Sequence, residues 1–124
     1  MGCPFCELIK TGRLMASDEV VAAFADAFPL TPGHTLVVPR RHEPNFLYLS
    51  EREHAAMWRL VGEVRAIIDR DHRPQGYNLG VNVGSVAGQT VDQAHLHIIP
   101  RYPDDVPEPR GGIRWIIPTR ARYW

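Results

Sequence analysis

Apolar positions along the chain follow two different periods. Met57, Leu60, Val61, Val64, Ile67 and Ile68 recur every three or four residues, which places them on one face of a helix. The stretch from about Glu51 to Arg70 is therefore read as the long helix of the molecule. Ser50 precedes it and Glu53 lies three residues on, the pairing of a capping box. Phe5, Leu8 and Ile9 mark a shorter helix ending near Thr11-Gly12, where glycine accepts the left-handed backbone that closes a helix. Elsewhere the apolar runs are short and bounded by turn residues. Glu19–Asp26 and His34–Val38 read as strands joined through the turn cluster Pro29–Gly33, and Pro39 stops the second. Tyr77–Val83 and Ala94–Ile99 read as two more, separated by the glycine-rich stretch Gly84–Gly88. Strands before and after one long helix predict an α+β domain with a largely antiparallel sheet. From Pro103 onward the chain is rich in Pro, Gly and Arg, with one short apolar run at Trp115–Ile117. That segment is expected to wrap the surface as an extended tail.

Composition narrows the function classes. The 124 residues suit one domain, and a hydrophobic fraction of 44% suffices for a core. Lys plus Arg and Asp plus Glu number 14 each, so the net charge is zero. A broad nucleic-acid or anionic-membrane surface is not expected, although a local phosphate site is compatible with that balance. No apolar run approaches the roughly 20 residues of a bilayer span. MGCPFCELIK has neither the basic start nor the apolar stretch of a signal peptide. Cys3 and Cys6 suit a metal clip or a redox pair more than a secreted disulfide framework. The expected compartment is the cytoplasm.

The candidate chemistry lies in Gln93–Ile99. As a strand, this segment puts Ala94, Leu96 and Ile98 on an apolar face and Gln93, His95 and His97 on a polar one. Two imidazoles on one face sit roughly 7 Å apart and can both touch one phosphate-sized group. Gly84 and Gly88 bracket a loop whose small residues let backbone N–H groups approach an anion. A neutral His can attack phosphorus, and a second can hydrogen-bond the oxyanion or protonate the leaving group. Spacing alone leaves two alternatives open: surface histidines on a half-exposed strand, and a metal pair.

The stretch from Asn82 to Arg101, with Gly88-Gln89-Thr90 before Gln93-Ala94-His95-Leu96-His97-Ile98-Ile99, resembles the signature of the histidine-triad (HIT) superfamily. CPFCELIKTG at residues 3–12, the strand end Phe24–Asp26 and PGHTLVVPRRH at residues 32–42 agree in order and spacing. The C-terminal IPRYPDDVPEPRGGIRW resembles a bacterial subgroup labelled diadenosine-polyphosphate-hydrolase-like. The resemblance implies a HIT-like fold over residues 1–102, with a five-stranded antiparallel sheet, one long and one short helix, and residues 103–124 as an extension packed on the domain or a dimer partner. It implies a homodimer with a continuous sheet, and cleavage at the α-phosphate of a purine nucleotide or dinucleotide. His95 matches the nucleophile that becomes a nucleotidyl-histidine, and His97 the histidine that contacts phosphate and leaving group. His34 matches the residue supporting that network, and Asp26 the acceptor for the ribose hydroxyls. Asn82, Gln89 and Thr90 match positions that line the α-phosphate. Phe5, Leu8 and Phe24 match the apolar positions that sandwich the base. For those three, core packing is the plain alternative. For Asp26 it is a turn at a strand end.

Gln93 departs from the family pattern, because it stands where the first triad histidine is expected. Gln can orient a neighbour through hydrogen bonds but cannot titrate near neutral pH. A Gln93→His change is therefore expected to alter the pH–rate profile more than nucleotide affinity. The same position bears on metal. Cys3, Cys6 and His42 resemble the zinc site of bacterial members, whose fourth ligand is the first triad histidine. Gln is a poor zinc ligand, so three ligands plus water, no metal, free thiols and a redox pair all stay open. Such a zinc would be structural, and the chemistry itself needs no cofactor. The competing readings of function are a dinucleoside-polyphosphate or nucleoside-phosphoramidate hydrolase, a nucleotide-binding regulator with vestigial catalysis, and a zinc-stabilised interaction module. Arg101, Arg110 and Arg114 could approach polyphosphate from the tail, and His54 and His72 are read as packing or surface residues.

Overall fold

The computed structural model describes residues 2–124. The first helix, α1 (Pro4–Thr11), starts with Pro and is capped by Cys3, whose Sγ accepts the Cys6 N–H at 3.2 Å; Gly12 closes it at φ 74°. The long helix, α2 (Glu51–His72), begins with the Ser50/Glu53 capping box. It runs two residues past the expected end, to a left-handed Arg73 before Pro74. The strands are β1 (Ala16–Ser17), β2 (Val21–Ala25), β3 (Thr35–Pro39), β4 (Gly76–Val81) and β5 (Leu96–Arg101). They form one antiparallel sheet in the order β1-β2-β3-β5-β4.

Alternation along the strands divides the core into two layers. Val21, Ala23, Val37, Leu96 and Ile98 face α2 and pack on Ala56, Met57, Leu60, Val64 and Ile68. Each fully buried large side chain there contributes about 1.5–3 kcal/mol. On the opposite face Ala22, Phe24, Leu36 and Val38 pack against Phe5, Leu8 and Ile9 of α1 and against Leu14. His97 lies on this second face, level with Leu36 on one neighbouring strand and Gly80 on the other. Pro100 fits within β5 because pairing with β3 has already stopped at Thr35↔Ile98, so its missing N–H breaks no ladder bond.

Two sequence expectations change. Strand β5 starts at Leu96 rather than Ala94, because the Ala94 N–H donates to the Glu43 carbonyl (2.8 Å) in the loop after β3. The C-terminal segment is not simply extended. It folds into the 3-10 turns Gly112–Ile116 and Pro118–Arg120. Arg114 donates to the carbonyls of Ala121 (2.9 Å) and Arg120 (2.8 Å), and the Trp115 indole donates to the Arg110 carbonyl (2.9 Å). Guanidinium–aromatic contacts add to this, with Arg110 over Trp124, Arg114 over Tyr123 and Arg122 over both Trp115 and Trp124. Arg101 makes a two-point ion pair with Asp105 (2.8 Å each) and bonds Asn78 at 2.6 Å, tying the segment to the sheet. Arg101, Arg110 and Arg114 therefore fasten the tail. Their guanidinium groups are thus engaged within the protein rather than left free for the polyphosphate approach that the sequence left open.

Candidate active site

The site forms where the start of β5 meets the start of β3. The His95 Nδ1–H donates to the Gln93 carbonyl at 2.8 Å, which leaves the Nε2 lone pair free. Phe5 packs its ring against His95 at 5.0 Å and lies 5.4 Å from Phe24. His95 and His97 have ring centroids 5.1 Å apart, closer than their backbone spacing because the rings lean together.

A second chain of hydrogen bonds fixes the remaining tautomers. The Leu30 N–H donates to His34 Nδ1 at 3.0 Å. That nitrogen therefore carries a lone pair, and the proton of neutral His34 is on Nε2. Nε2–H in turn donates to His97 Nδ1 at 2.9 Å. His97 is left with Nε2–H as its donor. The turn that supplies the Leu30 N–H depends on Gly33, at φ 91°, where an added Cβ would meet His72 at 3.1 Å and Pro100 at 3.3 Å. One Asp26 oxygen lies 3.5 Å from His34 Nε2, and the other accepts the Phe28 N–H at 2.9 Å. Asp26 thus closes the strand-end turn and flanks the histidine relay at once.

Both relay rings are held neutral. His97 is pushed down to about 4, first by burial and then by the neighbouring His95 and His34. Burial also lowers His34, with Asp26 opposing the shift. An unfolded histidine protonates near 6.5, so the unfolded chain takes up protons first as pH falls. The relay's contribution is complete above about pH 6.5 and is lost as pH falls toward 4. Thermal melts are expected to show Tm dropping through that window. A His97→Asn protein should show a shallower drop, and an equally steep one would remove His97 as the cause.

Gln93 has a different role from the one its position suggests. Its side chain is completely buried and points away from His95. Nε2 donates to the Pro39 and Arg41 carbonyls, both at 2.9 Å, and Oε1 accepts the Glu43 N–H at 2.9 Å. The backbone carbonyl of Gln93 orients the His95 ring, whatever the side chain. Gln93 is a positioning residue that straps down the loop carrying His42. Gln89 is committed in the same manner. Its amide donates to the Pro44 (2.8 Å) and Val91 (3.0 Å) carbonyls and accepts the Gly84 N–H (3.0 Å), clipping the glycine loop shut. Its side chain serves the loop rather than pointing freely at an anion. Thr90 is exposed beside it, while Asn82 lines the cleft that His97 faces. Leu8 packs in the layer under α1 with Phe5 and Phe24. His54 is structural, donating from Nε2 to the Phe46 carbonyl at 2.8 Å. Sequence reasoning missed Leu30 and Glu43, because both act through backbone atoms that no side-chain pattern reveals.

Cys3, Cys6 and His42 converge at the start of α1, their ligand atoms within 4.8 Å of one another. Cys6 Sγ and His42 Nδ1 are 3.4 Å apart, near the ~3.6 Å separating S and N ligands on a tetrahedral zinc. Two thiols and an imidazole are donors that zinc takes, so the residues fit it with three protein ligands. Asp26, His34 and His97 also converge within 4.8 Å, but the shared proton between the two rings occupies that space.

A sequence model of the HIT domain matches residues 9–104. The chain belongs to the HIT family. It is 38% identical over 106 residues to the Uncharacterized HIT-like protein SSO2163 of Saccharolobus solfataricus, covering 83% of this chain and 76% of that one. The fold matches the crystal structure of a HIT family protein from Bacillus anthracis with a TM-score of 0.78 at 36% identity, over 84% of this chain and 76% of that one. A zinc-bound histidine triad family protein from Mycobacterium smegmatis superposes at 0.76 with 29% identity, over 85% and 78%. A relative with a named activity is the asymmetrical bis(5'-nucleosyl)-tetraphosphatase of Schizosaccharomyces pombe, 38% identical over 90 residues that span 73% of this chain and half of that protein. The five-stranded sheet and two helices are thus the HIT fold, as the resemblance implied. No helix among the described residues is long and apolar enough to cross a membrane.

Proposed function

We propose that this protein hydrolyses a nucleotide at its α-phosphate through a nucleotidyl intermediate on His95, with a dinucleoside polyphosphate or a nucleoside phosphoramidate as substrate. The observation that carries the reading is the 2.8 Å bond from His95 Nδ1–H to the Gln93 carbonyl, which presents a free Nε2 lone pair beside the donor of His97. In this reading the base packs near Phe5, the ribose hydroxyls reach Asp26, and the α-phosphate lies between the two rings; Phe24, 2% exposed, backs Phe5 from the core rather than sandwiching a base.

His95 Nε2 gives its electron pair to phosphorus, and the bond from phosphorus to the leaving atom breaks with its pair going to the leaving group. A phosphate leaving group departs as an anion, held by the His97 Nε2–H. An amine first takes a proton from solvent and departs neutral. Water then attacks phosphorus, and the Nε2–P bond returns its pair to His95; the proton that water loses balances the one the amine took up, and with a phosphate leaving group it is released to solvent. The products are a nucleoside monophosphate and either the neutral amine or the anionic phosphate leaving group. Both histidines return to their starting state.

A zinc ion, where bound, is held by Cys3, Cys6 and His42 and supplies a structural cross-link between α1 and the loop after β3. The test of the catalytic reading is rapid acid quenching of a single turnover followed by peptide mass analysis. A nucleotidyl group on the peptide containing His95 is the expected result. Turnover with no adduct on that peptide would defeat the reading.

A further inference from the structure

The loop between β2 and β3 carries two groups that set the site, the Asp26 carboxylate and the Leu30 N–H. Its apolar side chains do not anchor it, because Phe28 and Leu30 keep 87% and 73% of their surface exposed. The anchor is a reciprocal pair of hydroxyl bonds to the end of β5. Backbone pairing of β3 with β5 stops at Thr35↔Ile98. Beyond that point the Thr31 hydroxyl donates to the Pro100 carbonyl at 2.6 Å, and the Tyr102 hydroxyl donates back to the Pro32 carbonyl at 2.6 Å. Side chains thus continue the pairing where the ladder has ended. The staple sits next to Leu30 in the chain, and the Thr31 carbonyl also accepts the His34 N–H at 3.1 Å. Where the two hydroxyls place the turn, the Leu30 N–H is placed with it.

That placement matters because the His34–His97 bond does not decide its own polarity. With one proton on each neutral ring, the bond forms in either of two ways. His34 Nε2–H donates to His97 Nδ1, or His97 Nδ1–H donates to His34 Nε2. The first leaves His97 with Nε2–H as a donor. The second leaves a lone pair there, which repels a phosphate oxygen. The Leu30 N–H selects the first, because it occupies the lone pair on His34 Nδ1 and excludes a proton from that nitrogen. Asp26 favours the same arrangement only weakly, since its oxygen lies 3.5 Å from His34 Nε2, beyond good hydrogen-bond distance. We infer that Thr31 and Tyr102 are positioning residues for the reaction: their hydroxyls hold the Leu30 N–H on His34 and so keep His97 a donor toward the phosphate. This rests on the hydrolase reading above. Both residues act through His34 rather than on the reacting atoms.

The test uses Thr31→Val and Tyr102→Phe, which remove each hydroxyl at nearly constant shape, and Thr31→Ser, which keeps the donor. The first readout is nitrogen NMR of histidine rings labelled in the full chain at neutral pH, where the shifts of Nδ1 and Nε2 report which nitrogen carries the proton. In the wild type both His34 and His97 should carry it on Nε2. In the double variant Thr31→Val/Tyr102→Phe the two rings should move together toward a mixture of both tautomers, and Thr31→Ser should match the wild type. The second readout is steady-state kinetics with AMP phosphoramidate and diadenosine tetraphosphate. The double variant should lose about three- to tenfold in kcat, the population factor that one hydrogen bond controls, with KM changed less than about twofold. Thr31→Ser should retain the wild-type kcat. Unchanged ring shifts in the double variant overturn the positioning role, even where Tm and kcat fall, because a staple that only stabilises the fold does that. Altered ring shifts with an unaltered kcat overturn it as well. If none of the proteins turns over either substrate while the ring shifts respond as stated, hydrolysis is overturned and the hold on the His34–His97 relay stands. If turnover is present and the shifts do not respond, the positioning role alone is overturned.

Discussion

Replacing His95 by alanine is expected to lower kcat by about 10³–10⁶-fold, the range spanned when a covalent nucleophile is removed from a site whose binding groups stay in place. Nucleotide affinity should change by less than ~3-fold, because the proposed base and ribose contacts fall to Phe5 and Asp26 rather than to the His95 ring nitrogen. Removing the imidazole also removes only one hydrogen bond, Nδ1–H to the Gln93 carbonyl. The variant should therefore stay folded, which a thermal melt checks in the same preparation. His95→Gly provides the sharper control. It leaves a space lined by Phe5 and His97, and free imidazole added to the assay should restore part of the turnover in a concentration-dependent way. His97→Ala should retain more activity, because a donor hydrogen bond is worth less than the bond-forming nucleophile. If His95→Ala kept a tenth or more of wild-type kcat with either substrate class, covalent catalysis at this residue would be excluded.

The long helix was readable because Met57, Leu60 and Val64 repeat with its period and Ser50 and Glu53 cap it, both local signals. Strand β1 was not readable from pattern, since Ala16 and Ser17 are too few residues to show alternation; it exists because β2 offers a free edge. The candidate site was legible as residue types in a motif, and the fold brings His34, His95, His97 and Asp26 together. The tautomers were not legible. They are set by the Leu30 N–H and the Gln93 carbonyl, and every residue has these groups. The tail was misread for a related reason. Pro, Gly and Arg are residues of loops, but here Arg114 and Arg122 bond within the segment and stack on its own aromatic rings.

Gln93→Ala is expected to give the largest loss of stability among the site residues. The side chain is fully buried, and its three hydrogen bonds all end on backbone groups of residues 39–43. Truncation strands two carbonyls and one N–H and opens a cavity, costing roughly 3–5 kcal/mol. For a chain of this length that corresponds to a Tm decrease of roughly 10–20 °C. Activity should fall through kcat, as the loosened loop lets the Gln93 carbonyl and the His95 ring drift, while the pH–rate profile keeps its shape. The motif position alone points to a side chain that orients its catalytic neighbour, and it predicts a changed profile only for Gln93→His, which introduces a titrating ring. A titrating role would move the profile, whereas a strap moves stability and kcat. Gln93→His retains one donor and one acceptor and should fall between wild type and Gln93→Ala. Metal supplies an independent check on the same loop, because His42 lies between two of the strapped residues, Arg41 and Glu43. Where zinc bridges Cys3, Cys6 and His42, a chelator should lower the Tm of Gln93→Ala more than that of wild type, since the strap no longer shares the load. A Gln93→Ala protein that melts within 2 °C of wild type, or whose pH–rate profile shifts while its Tm holds, would return the side chain to a direct part in the chemistry.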